Sequence, residues 1–110
     1  MALIKDERIK FEKYQDKFIE ELVGIVRFSL EDAGLPNAQA KNVTSDVTFA
    51  IASFFDGGGD YSFIGDDEFR PRLAFERKDE PNVLYYSSGG AMHEMVEDQV
   101  DYAYRHSLGL

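Results

Sequence analysis

Apolar residues in the first third of the chain recur at helical spacing. Ile4, Phe11, Phe18 and Ile25 stand seven apart, Leu22 and Ser29 extend the stripe, and Ile19, Val23, Val26 and Leu30 widen it. The pattern predicts a helix from about Lys5 to Ala33, rich in strong helix formers. Gly34 supplies its left-handed stop, Leu35 folds back as the hydrophobic partner, and Pro36 forbids continuation. A second helix is predicted from Asn37, as N-cap, to Phe55, with Val43, Val47, Ala50, Ile51 and Phe54 along one face. Its β-branched residues Val43, Thr44, Val47 and Thr48 leave a strand over 43–51 as the competing assignment. Asp56-Gly57-Gly58-Gly59 ends the element.

Three extended stretches follow. Residues 61–64 alternate Tyr61 and Phe63 against Ser62 and Ile64, and 69–77 place Phe69, Leu73 and Phe75 on one face. Residues 82–87 are apolar on both faces. The turn chemistry of Gly65-Asp66-Asp67-Glu68 and Lys78-Asp79-Glu80-Pro81 separates them, so an antiparallel meander is predicted. Pro71 cannot donate to a ladder and marks a strand start or an edge. A last helix runs from about Gly90 to Ser107, with Met92, Met95, Val96, Gln99, Val100 and Ala103 inward and Ser87 or Ser88 as cap. The expectation is a single α+β domain over residues 1–110 in the order ααβββα, its helices on one face of a small sheet.

Charge narrows the function classes. The net charge of −9 is uneven: residues 1–41 carry −1 and residues 42–110 carry −8. Such a surface repels phosphate backbones and anionic lipid, so neither nucleic acid nor membrane is an expected partner. The chain has no cysteine, which removes disulfides, thiolate metal sites and thiol nucleophiles and fits a reducing cytoplasm. The N-terminal segment is charged from Lys5 onward and has no apolar core of a signal peptide. The expected location is cytoplasmic.

Four segments carry candidate chemistry. The Asp/Gly-rich stretch 54–69 does not fit an EF-hand loop, because position 3 from Asp56 is Gly58 and position 6 is Tyr61. Its glycines leave a helix among carboxylates, so they do not cradle a phosphate either; they read as a turn into the sheet. In "HEMVE" the i+4 position from His93 is Glu97 rather than a second histidine, so the zinc-protease pattern fails and a surface i,i+4 pair is expected. "YYSSGG" lacks the glycine flanks of a nucleophile elbow, which leaves helix capping. The last helix presents Glu94, Glu97, Asp98 and Asp101 as a negative stripe. No catalytic residues, no metal and no cofactor are assigned.

A length argument points to self-association. The leading helix would span roughly 42 Å, whereas a compact chain of this size is about 34 Å across. Ile4, Phe11, Tyr14 and Phe18 would then lie in a homodimer interface. The expected function is a small acidic protein-interaction module, homodimeric, that binds another protein with a basic surface. Its partner-binding residues would be Glu94, Glu97, Asp98, Asp101, Tyr86 and Tyr104. The alternative is a small-molecule-binding or hydrolytic domain, with a pocket between sheet and helices built from Asp60, Tyr61, Arg72, Tyr85 and His93.

Overall fold

The computed structural model describes residues 3–57, 61–87 and 91–107, with side chains through Arg105. It is an α+β arrangement of three helices and two small sheets. In chain order the elements are β1 (Leu3–Lys5), α1 (Arg8–Asp32), α2 (Asn37–Phe55), β2 (Ser62–Ile64), β3 (Asp67–Phe69), β4 (Phe75–Arg77), β5 (Glu80–Tyr85) and α3 (Met92–Ser107).

The N-terminus departs from expectation. Leu3–Lys5 forms a strand instead of opening the helix, pairing in parallel with Val83–Tyr85 of β5. The reason lies in β5, which runs between β1 and the antiparallel β4. With β4 on one edge alone, β5 would leave unpaired N–H and C=O groups on the other, and Leu3–Lys5 pairs with them. Helix α1 then starts at Arg8 and ends as predicted, in a Schellman motif. Gly34 sits at φ 84, its N–H donates to the Glu31 carbonyl, and the Leu35 N–H donates to that of Leu30.

The region 43–51 is helical despite its β-branched residues, because α2 packs against both other helices. It buries a stripe of small residues, Ala40, Thr44, Thr48 and Ala52. The larger residues predicted to share a face, Val43, Val47, Ala50 and Phe54, are exposed. Asn37 is the first helical residue rather than the cap, which falls on the extended Pro36.

The three-stranded meander is not formed. The segment 69–77 is interrupted at residues 70–74, around Pro71, so Phe69 and Phe75 belong to different sheets. Proline's missing donor and fixed φ account for the break. Strands β2 and β3 form a hairpin closed by Gly65 at φ 60 and Asp66, and all six of its strand residues are exposed.

The helices pack chiefly on one another rather than on a sheet face. Ile19 and Val23 of α1, Ala40 and Ala52 of α2, and Met92, Val96, Val100 and Tyr104 of α3 form the core. The sheet instead caps the first half of α1 through aromatic rings. Phe11 meets Phe75 and Tyr86, Tyr14 meets Phe75 and Tyr85, and Phe18 meets Phe75 and Phe55. Their centroid separations of 5.6 to 6.4 Å lie in the range of favourable tilted pairs.

This removes Phe11 from the length argument. Phe11 is 2 % exposed inside its own chain, whereas Tyr14 and Phe18 are half-buried there. Ile4 remains exposed, on β1. The chain accommodates its long helix by being a slab of 46 × 37 × 22 Å. With a radius of gyration of 16.1 Å, against about 13 Å for a compact chain of this length, it is flat and elongated.

Candidate functional site

Two places bring predicted residues together. The first lies where α2 ends under the start of α3. Gly57 turns the chain at φ 82, and a side chain there would meet the guanidinium groups of Arg70 and Arg72 at 3.1 to 3.3 Å. The turn delivers Asp56, whose carboxyl is almost wholly buried, to the open end of α3. Its Oδ2 accepts from the His93 backbone N–H at 2.9 Å and lies 2.6 Å from His93 Nδ1. Asp56 therefore caps α3 from another element and orients the histidine ring, which stands edge-on to Phe49. The expected His93–Glu97 pairing is replaced by this one, because a carboxylate presented to a free helix N–H gains two bonds at once.

Arg72, Gln15, Tyr86 and Ser87 line the crevice beside Asp56. Arg72 and His93, both predicted pocket residues, are thus brought to the same junction. The other predicted members are not. Tyr61 lies on the hairpin side with the Arg70 guanidinium 4.5 Å over its ring, and Asp60 lies outside the described residues. Tyr85 is buried and faces α1, where its hydroxyl donates to Glu80 Oε1 at 2.6 Å. That bond holds the Glu80 carboxyl below its ordinary range, assisted by Lys5 and Arg77. The same bond raises the Tyr85 hydroxyl.

An imidazole fixed by a carboxylate is one half of a proton relay. A working relay also needs room for a substrate. The crevice encloses about 10 Å³, which is space for a single water. Gln15 Oε1 is buried in its wall without a partner among the described residues. The arrangement is a helix-capping junction. Among the described residues, no group of three or more His, Asp or Glu is placed to hold a metal ion.

The second place is the outer surface of α3. Glu94, Glu97 and Asp98 are exposed and form no ion pair among the described residues, whereas Asp101 bonds Lys41 of α2 at 3.0 Å. Tyr104, predicted to face a partner, is buried. It shares a 2.8 Å hydrogen bond with Thr44, and Arg27 lies over its ring. Tyr102 is the outward ring of the pair, 52 % exposed. Tyr86 is half-buried against Phe11 and lies off this surface. Asp16 of α1 accepts from Gln99 of α3 at 3.0 Å. Glu20, Asp98, Gln99 and Tyr102 border a shallow depression of about 330 Å³ between the two helices. Carboxylates beside an aromatic ring are chemically suited to a lysine or arginine head group.

Sequence reasoning missed Asp56 as a cap and the outward stripe of α2. The second had a visible signal: α2 carries two stripes, one large and one small, and only one can face the core. Comparison of the chain with known protein families, with curated proteins and with solved structures gave no match. No helix of the described residues is long and apolar enough to cross a membrane.

Proposed function

We propose that this chain is a non-catalytic interaction protein whose acidic α1–α3 surface binds a protein with a basic face. The observation that carries this reading is the run of exposed carboxylates Glu94, Glu97 and Asp98, without internal counter-charges among the described residues, beside the exposed ring of Tyr102. In a chain of net charge −9, such a surface accelerates encounter with a basic partner and discourages nucleic acid. Its cysteine-free composition suits the cytoplasm. The hydrolytic alternative draws on the Asp56–His93 couple, whose carboxylate serves as the cap of α3.

The test is affinity capture from the source cell with wild-type chain and with Glu97→Lys/Asp98→Lys as baits. A basic protein retained by the wild type, released by salt and lost with the charge-reversed bait is the expected result. Identical captures by both baits would remove the acidic surface from the account.

A further inference from the structure

The α1–α2 hairpin has a side turned away from α3, and its pattern is unusual. Helix α3 meets α1 at Asp16, which bonds Gln99, and meets α2 at Lys41, which bonds Asp101. Nine residues are about two and a half helical turns, so Ile25 and Ala50 point opposite to those contacts. Ile25 belongs to the α1 stripe Phe18, Leu22, Ile25 and Ser29, and Ala50 to the α2 stripe Val43, Val47, Ala50 and Phe54. Both run at 4-3-4 spacing, the spacing of a helix–helix seam. The Phe18–Phe55 ring contact sets the helices antiparallel, with Ile25 level with Val47.

None of the eight positions is charged, in a chain that is 30 % charged overall. Between Asn42 and Phe55 the single charge is Asp46. Yet the face is open: Ile25 is 65 % exposed, Phe54 50 %, Val47 39 % and Val43 36 %. Those four side chains offer on the order of 300 Å² of apolar surface per copy. A homodimer half-interface is about 800 Å², roughly two-thirds of it apolar. The stripe supplies more than half of that apolar share before Phe28, 71 % exposed, is added at its rim.

We infer that this face pairs with the same face of a second copy, giving a two-fold bundle of four helices. A basic partner finds no counter-charge here, which argues against placing the acidic-surface ligand on it. A second copy presents the same eight uncharged positions, with Glu21, Asp32 and Asp46 at their rim. The spacing is self-complementary, as an isologous contact requires, and Ala50 lets the α2 helices approach closely. This assembly is independent of the acidic-surface reading, since it uses the opposite side of α1.

Sedimentation velocity on the full chain tests it. The wild type is expected at twice the chain mass across the micromolar range, and Val47→Glu and Ile25→Glu each to weaken association at least about 100-fold. Circular dichroism should show unchanged helix content, because both side chains lie outside the core. Should either variant misfold, Ala50→Cys, a single thiol in a cysteine-free chain, gives a second reading. It should form a disulfide dimer on mild oxidation, whereas Asp98→Cys on α3 should not. A wild type that sediments as one chain, or a dimer indifferent to both glutamates, overturns the inference. Neither result touches the charge-reversal capture that tests the acidic surface.

Discussion

The same substitution, one helical turn apart, should have opposite signs. Thr44 and Thr48 both lie on the buried face of α2, and both are fully buried. Thr44 Oγ1 shares a hydrogen bond with the Tyr104 hydroxyl at 2.8 Å, while Thr48 Oγ1 has no partner among the described residues. Valine and threonine differ little in helix propensity, so the backbone contribution nearly cancels. Thr44→Val removes the buried Thr44–Tyr104 hydrogen bond, at a cost of about 1–2 kcal/mol. Thr48→Val removes a hydroxyl that was desolvated without return and adds apolar contact, a gain of about 1 kcal/mol. The two variants should therefore be separated by about 2–3 kcal/mol, or roughly 10 °C in Tm for a chain this size. Urea unfolding with linear extrapolation resolves that gap comfortably. Equal loss in both variants would refute the reasoning, since it would mean that the Thr48 hydroxyl is bonded after all.

Two further outcomes follow from the ion and cap chemistry. The Tyr85 hydrogen bond, with Lys5 and Arg77, holds the folded Glu80 carboxyl below its ordinary value of 4.5. Its stabilising contribution is thus complete above that value and lost as pH falls through the lower folded one. Glu80→Gln should be less stable than wild type near neutrality, the difference in urea midpoints shrinking as pH falls below the ordinary carboxyl value; a difference constant with pH would contradict it. At the α2–α3 junction, Asp56→Ala frees the His93 backbone N–H as well as the ring, whereas His93→Ala removes only the ring contact and leaves the backbone N–H donating to the carboxylate. Asp56→Ala should cost about 1–2 kcal/mol and exceed His93→Ala in the same assay; the reverse order would mean that the ring contact outweighs the cap.

Element types were legible wherever the local signal stood alone. Gly34, Leu35 and Pro36 locate the end of α1 within one residue, and the inward set of α3 reads directly from its spacing, with Met92, Val96 and Val100 buried. What failed depended on partners distant in sequence. Leu3–Lys5 becomes a strand because β5, eighty residues on, offers it an edge, and a three-residue stretch carries no period of its own. Pro71 was recognised as a constraint, but whether it began a strand or divided one turned on the hairpin pairing of Ser62–Ile64 with Asp67–Phe69. Arg72 lines the crevice beside Asp56 and His93 is bonded to that carboxylate; the sequence shows Asp56 only as part of a turn, since nothing local tells which helix end it will reach.

The orientation of α2 ties these observations together. Rotating that helix by about a third of a turn would bury Val43, Val47 and Phe54 in place of Ala40, Thr44 and Thr48, a larger apolar area by any scale. The rotation is prevented at several points along the helix. The Schellman turn sets the approach from α1, Lys41 and Thr44 are bonded to Asp101 and Tyr104, and Asp56 is held under α3. Polar pins, rather than the extent of apolar burial, fix which side of α2 faces inward. The small residues on that side then let three helices approach closely, and the large ones are left on a neutral surface. A helix oriented for monomer stability alone would be expected to spend its bulk on the core. This one keeps it outside, on the face that the proposed second copy would cover.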